Sequence, residues 1–346
     1  MYTSFYGLKA KPFQISTDPT FLWLGEKHRE AISMLKYGIQ GEGHTGILLL
    51  TGDVGTGKTT LINALFKSLD KRVIRVCITN PNLEGLDFLN YIAAAYGSKR
   101  EFKSKSNFLI HFGRFLKNAN AKNRKVLLVV DEAQLLSHKL LEEIRLFSNI
   151  EKEGQSLIHT FLVGQLELRQ KLSRPENRAL RQRITLNYNI DALVSEETDE
   201  YIKYRLQVAG TSKRIFTPDA VQSIHRYARG LPRKINILCD HALLTGFVQN
   251  LEQIGAAIVK ECAKDLSIAI VPEKKQAAPQ KTIDEEMAQP VPVPPDTQQV
   301  SNRMADEHQN HIATATLKKK KNRHMIFFVA IAILVLLAFT GFLLFL

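Results

Sequence analysis

The sequence predicts an α/β domain built on a parallel sheet, followed by a helical segment, a linker and one membrane-spanning helix. Three patterns carry that expectation. Between Thr17 and about Leu266, short apolar runs alternate with helical periodicity, the rhythm of strands that return in parallel. After Ser195 the strand-like runs stop while the helical periodicity continues. From Met325 to Leu346 there is no charge at all. With 45% hydrophobic and 23% charged residues, the 346-residue chain sits at a globular average, which excludes whole-chain disorder, a collagen-like repeat and a disulfide scaffold.

Taken in order, Met1 to Phe13 has no apolar run long enough for a signal peptide. The strand candidates are Ile47–Thr51, Val73–Ile78, Val126–Val130, His159–Val163 and Ile184–Ile190. The first, third and fourth are apolar enough to be central strands buried on both faces. These elements, with the N-terminal segment, are assigned to a domain over 1–194. Helical patterns at Glu196–Ala209, Pro218–Ala228, Pro232–Gln249 and Ile254–Leu266 make a helical subdomain over 195–270. A linker is expected over 271–324: six prolines from Pro272 to Pro295 stand among Gln, Ala, Glu and Asp, too polar a mixture to bury a core.

The 22 residues of 325–346 would span ~33 Å as a helix, enough for a hydrocarbon core of ~30 Å. Lys318–Lys321 and Arg323 flank the N-terminal side of this span, which places that side in the cytoplasm. Because the span closes the sequence, a tail anchor is expected, in contact with membrane lipid. Charge adds a constraint on partners: 38 Lys and Arg against 27 Asp and Glu leave 1–270 at +11, while 271–346 carries only +2. An excess of that sign suits anionic ligands. Cys77, Cys239 and Cys262 are few, odd in number and far apart, so they read as core residues of a reducing compartment.

One motif carries chemistry. Gly52-Asp53-Val54-Gly55-Thr56-Gly57-Lys58-Thr59 fits G-x-x-x-x-G-K-[ST], between a strand (Ile47–Leu50) and an amphipathic helix that opens at Thr60. Glycines let successive N–H groups face an anion at the positive end of that helix. Lys58 would reach the β- and γ-phosphates of ATP, and the Thr59 hydroxyl would ligate Mg²⁺. Val126–Val130 then ends in Asp131 and Glu132, a carboxylate to hold Mg²⁺ through water and one to polarise the attacking water. Gln165, after the strand His159–Val163, falls where a nucleotide sensor sits. Arg178, Arg181 and Arg183 precede the last strand; any of them can stabilise transition-state charge on a neighbouring subunit's nucleotide. Gly230-Leu231-Pro232-Arg233 is a helix stop followed by Pro at a first helical position, so Arg233 would project from the helical subdomain towards the phosphates.

Together these elements resemble the AAA+ ATPases, and more closely the ExeA/GspA-like (MshM-type) secretion and pilus-biogenesis family. The resemblance covers about 1–268. It rests on Phe5-Tyr6-Gly7-Leu8, Lys11-Pro12-Phe13, Asp18-Pro19, Phe21-Leu22, His28-Arg29-Glu30-Ala31, Asp131-Glu132-Ala133-Gln134, Val163-Gly164-Gln165, Gln182-Arg183-Ile184 and Gly230–Arg233. It implies a P-loop AAA+ domain with an α-helical lid that forms a ring of like subunits. It further implies a bacterial inner-membrane ATPase driving assembly of a type II secretion or type IV/MSHA-like pilus machine. Members sometimes carry a periplasmic peptidoglycan-binding domain, and this sequence departs from them by stopping at the end of the span; a peptidoglycan-binding partner is among the expected partners. By the same resemblance Glu132, Gln165 (sensor 1), Arg183 (trans arginine) and Arg233 (sensor 2) act in hydrolysis, and Phe13 and Tyr37 help bury the adenine.

The pattern and fold also resemble transposition-associated AAA+ regulators that polymerise on DNA. The basic residues are scattered instead of gathered in a stripe, and a membrane span suits a DNA filament badly, so nucleic acid is not expected as a partner. His308 and His311 beside Glu307 have ligand-like spacing but lie in the linker without a third ligand. Neither H-E-x-x-H nor G-x-S-x-G occurs.

Overall fold

Ile47–Gly52 (β1) is buried from end to end, as are His159–Gly164 and all but the first residue of Lys125–Val130. Only strands covered on both faces tolerate such runs, so these three belong in the middle of a sheet. The computed structural model describes residues 1–15, 18–40, 46–83 and 85–269. Its strands are β1, β2 (Val73–Ile78), β3 (Lys125–Val130), β4 (Glu151–Lys152), β5 (Gln155–Ser156), β6 (His159–Gly164) and β7 (Ile184–Ile190). Its helices are α1 (Tyr2–Phe5), α2 (Glu26–Gln40), α3 (Lys58–Ser68), α4 (Gly85–Ala95), α5 (Lys105–Ala121) and α6 (His138–Phe147). They continue as α7 (Leu166–Ser173), α8 (Arg178–Arg181), α9 (Ser195–Val208), α10 (Pro218–Ala228), α11 (Pro232–Val248) and α12 (Ala256–Asp265). The whole of the expected linker and the whole expected span lie outside the described residues. Among the described residues, no helix is long and apolar enough to cross a membrane.

Five strands form one parallel sheet in the order β2-β3-β6-β1-β7. The three apolar strands take its centre, and the half-exposed β2 and β7 its edges. Alternation along each strand sorts the side chains by face. Ile47, Leu49, Val126, Leu128 and Val130 meet Phe88, Phe108, Phe112 and Phe147 from α4, α5 and α6. Leu48, Leu50, Leu127 and Val129 meet Ala31, Leu35 and Ile39 of α2 and Leu61, Ile62 and Leu65 of α3. Ser104 and Ser137 start α5 and α6 by accepting the Asn107 and Leu140 N–H groups at 3.2 and 3.3 Å. The antiparallel β4–β5 pair was not expected from the sequence. Its two-residue turn, Glu153-Gly154, has φ of 54° and 75°, the left-handed pair that a tight hairpin needs.

A third core lies among α9–α12, where Ile202, Leu206, Ile224, Ile235, Leu238 and Val259 are buried together. The N-terminal segment belongs to this core: Tyr2, Tyr6, Leu8, Phe13 and Phe21 are buried in it. Sequence alone groups these residues with the 1–194 domain, because irregularly spaced aromatics do not say which surface they cover. Phe13 meets Phe216 edge-on at 6.1 Å, and the Tyr6 hydroxyl donates to the Leu251 carbonyl at 3.0 Å. The strand-to-helix joint is fixed at Gly230. Its φ is +67°, the Leu193 N–H donates to its carbonyl at 2.9 Å, and a Cβ there would stand 1.9 Å from the Leu193 oxygen. Only glycine fits such an approach.

Candidate nucleotide site

The sheet order explains how residues far apart in sequence meet. β3, β6 and β1 are neighbours, so Asp131, Gln165 and the phosphate loop emerge from three adjacent C-terminal strand ends. Parallel sheets bind ligands at such ends. The loop runs from Gly52 into the first turn of α3, and the cavity above it has a volume of about 340 Å³. Val54, Gly55, Thr56, Gly57, Lys58, Thr59, Thr60, Glu132, Gln165 and Arg233 line it; Gly52, Asp53 and Asp131 stand behind that lining. Asp53 braces the loop: its carboxylate accepts the Val54 N–H at 2.7 Å, and its carbonyl accepts the Thr56 hydroxyl at 2.9 Å.

Lys58 is 7% exposed, and its Nζ donates to the Gly52 and Asp53 carbonyls at 2.9 Å each. Burial lowers its pKa; Glu132, Asp131 and Asp53 act against that shift. Thr59 Oγ1 donates to Asp131 Oδ2 at 2.7 Å, so hydroxyl and carboxylate are already paired. Asp131 is 3% exposed, and its other oxygen accepts the Glu132 N–H at 2.9 Å. Glu132 itself sits in the left-handed region with φ of 53°, unusual for a side chain this size, and this turns it from the strand towards the cavity.

The Glu132 carboxylate is held by two amides at one oxygen, Oε2. Gln165 Nε2 donates to it at 3.2 Å, and Gln134 Nε2 donates to it as well. Gln134 Oε1 in turn accepts the Gln165 backbone N–H at 3.1 Å. Sequence alone assigns Gln134 no role, although it closes the Asp131–Gln134 pattern. That pattern was the available signal; the fold was needed to bring Gln134 under β6.

Arg233, in the first turn of α11, lines the cavity. Its backbone N–H donates to the Gly55 carbonyl at 3.3 Å, and a Cβ on Gly55 would stand 2.8 Å from the Arg233 Cβ. Arg183 is not brought to this site. Ile184 pairs with Ile47 and Ile190 with Gly52, so five residue steps of β1, roughly 17 Å, separate Arg183 from the loop. Its guanidinium faces Glu151 at 3.7 Å. Arg181 donates to the Ser173 carbonyl at 2.9 Å, and Arg178 is exposed.

Phe13 and Tyr37 do not line the cavity, which corrects the adenine expectation. Phe13 is spent on Phe216 in the helical core, and Tyr37 is 57% exposed on α2. The far end of the cavity is formed by Gln14, Ile15, Phe21, His28, Tyr201 and Asn236. The His28 ring bonds the Thr56 carbonyl through Nε2 at 3.3 Å. A carbonyl only accepts, so Nε2 carries the hydrogen. Burial lowers the His28 pKa, against the Thr56 bond and Glu197.

A family model described as an AAA domain matches residues 41–172. General secretion pathway protein A of Aeromonas hydrophila is 40% identical over 269 residues, 77% of this chain and 49% of that protein. An uncharacterised HTH-type transcriptional regulator of Methanocaldococcus jannaschii is 23% identical over 255 residues, 69% of this chain and 60% of its own length. The chain thus spans between about half and three fifths of the curated relatives it matches. Among solved structures, the Aeropyrum pernix ORC2 protein in its ADP form has a TM-score of 0.56 at 17% identity, covering 73% of this chain and 72% of that one. Drosophila ORC bound to DNA has a TM-score of 0.58 at 14% identity, covering 78% and 66%. Likenesses at that identity show the fold. Fold, phosphate loop and the relative at 40% identity together make the described part of this chain an AAA+ ATPase domain of the ExeA/GspA-like kind.

Proposed function

We propose that this chain is a membrane-anchored, Mg²⁺-dependent ATPase that assembles into a ring and drives the building of a type II secretion or type IV pilus machine. The observation that carries the chemistry is the Thr59–Asp131 hydrogen bond beside an amide-held Glu132 at the mouth of a phosphate loop. A hydroxyl and a buried carboxylate 2.7 Å apart are a hard-oxygen pair that fits Mg²⁺. Bound there, Mg²⁺ would neutralise charge on the β- and γ-phosphates. Lys58 swings from its two carbonyls to the phosphate oxygens, and the loop N–H groups cradle them. Glu132 accepts the proton of a water as that water's oxygen bonds the γ-phosphorus. The bond to the bridging oxygen breaks, and ADP and phosphate leave. Gln165, bonded to the same carboxylate, orients that water. Arg233 approaches from the helical side.

Arg183, at the far end of β7, serves a neighbouring copy, since strand length keeps it from its own loop. The envelope role rests on the 40% identity to a protein named for general secretion. Anchoring through 325–346, with the ATPase in the cytoplasm at the inner membrane, rests on the uncharged run and its basic flank. A partner that grips peptidoglycan would give the machine purchase on the wall. The experiment is fractionation of cells expressing the full chain or a chain lacking 324–346, with ATP hydrolysis measured on each. Full chain in membranes and an active, soluble truncation support the proposal. A truncation that still fractionates with membranes refutes the anchor.

A further inference from the structure

Three polar side chains buried beneath the nucleotide cavity have no part in the chemistry above. Tyr201 and Arg205 lie one turn apart on α9, and Asn236 lies one turn into α11; they are 5%, 6% and 6% exposed, and all three line the cavity. They form a continuous chain. Arg205 Nε donates to the Pro12 carbonyl, and its Nη2 donates to the Gln14 carbonyl at 3.2 Å. Nη1 donates to the Tyr201 hydroxyl at 2.8 Å, and that hydroxyl donates to Asn236 Oδ1 at 2.9 Å. The guanidinium is stacked on the rings of Phe21 and Tyr201, 5.2 and 5.5 Å from their centroids. No ion pair to Arg205 occurs among the described residues.

Such a cluster is a poor way to gain stability, because desolvating a guanidinium is costly and apolar side chains would fill the space. What it supplies is fixed geometry: a planar fork and a two-way hydroxyl admit one arrangement of the segments they join. The segments are informative. One end holds residues 12–14, the strip that runs from the helical core along the cavity. The other end is three residues from Arg233, whose N–H touches the Gly55 carbonyl. We infer that Tyr201, Arg205 and Asn236 form a positioning network that sets α11, and with it Arg233, against the phosphate loop in register with the N-terminal segment. The inference rests on the nucleotide site proposed above.

Tyr201→Phe is the sharpest probe, since it keeps the ring under Arg205 and removes only the hydroxyl that joins the two halves. Steady-state ATP hydrolysis by the full chain is compared for wild type, Tyr201→Phe, Arg233→Ala and the double variant, with melting temperatures alongside. Tyr201→Phe is expected to lower kcat/KM by about tenfold in the wild-type background and by less than about twofold when Arg233 is already alanine. Asn236→Ala, which cuts the same link from the α11 side, is expected to behave alike. An equal loss in both backgrounds would show a general weakening of the fold and overturn the network. So would an unchanged kcat/KM for both single variants of the network. Absence of hydrolysis in the wild type removes the site reading and the network together, whereas hydrolysis with an additive double variant removes the network alone.

Discussion

Gln134→Ala tests whether the amide pair at Glu132 matters for turnover. The substitution removes the Gln134 donor from Glu132 Oε2 and the acceptor from the Gln165 N–H, leaving Gln165 Nε2 as the remaining amide on that oxygen. A hydrogen bond to an ionised group contributes about 1.5–3 kcal/mol. Taking about 2 kcal/mol as the loss of positioning at the general base, kcat should fall roughly 30-fold. Gln134 does not line the cavity, so KM for ATP should stay within about twofold. Gln165 is only half-buried, so its N–H can turn to water, which limits the stability loss to about 1 kcal/mol, or roughly 2–4 °C in melting temperature. Steady-state kinetics and thermal melts on the same samples separate the two effects. A Gln134→Ala chain with parental kcat, or one whose loss lies in KM, would refute the positioning role.

Arg183→Ala should lower turnover about 100-fold and spare nucleotide binding, and an excess of Lys58→Ala subunits should partly restore it by supplying the missing arginine in trans; failure of mixing to restore any activity would count against the trans assignment. Gly230→Ala should cost about 3 kcal/mol or more in urea unfolding, since the methyl would meet the Leu193 oxygen at 1.9 Å with φ at +67°; a loss under 1 kcal/mol would mean the joint yields. His159, 7% exposed, has its pKa lowered to about 4, first by burial and then by Lys125. The unfolded chain binds that proton more readily, so this stability is complete above the ordinary value near 6.5 and is lost as pH falls towards 4. Roughly 2 kcal/mol should be gone by pH 5, and His159→Leu should flatten that part of the pH–stability curve; an unchanged curve would show that His159 is not the group responsible.

Much of the sheet was legible because burial on both faces forces long apolar runs. The observed bounds of β1, β3 and β6 differ from those read off Ile47–Thr51, Val126–Val130 and His159–Val163 by one residue at an end. The phosphate loop was legible for a different reason: its backbone must curl around an anion, and few residue types allow that. What could not be read were relations between distant surfaces. Nothing local in Tyr2, Tyr6 or Phe13 says that they cover α10–α12 and not the sheet. The adenine expectation failed at Phe13 and Tyr37 for the same cause. Gln134 and Arg205 were hidden because their partners, Gln165 and the carbonyls of Pro12 and Gln14, are 31, 193 and 191 residues away. A polar residue's bonding capacity is local, but its partners are set by the fold.

The most direct measurement is ATP hydrolysis and ATP binding by the full chain with and without Mg²⁺, wild type against Glu132→Gln. The amide keeps the size of Glu132 and leaves Lys58, Thr59 and Asp131 untouched, so binding should remain within about threefold. It cannot take a proton from water, so Mg²⁺-dependent turnover should fall at least about 100-fold. Parental turnover in Glu132→Gln, or equal turnover without Mg²⁺ in the wild type, would contradict the assignment of this site.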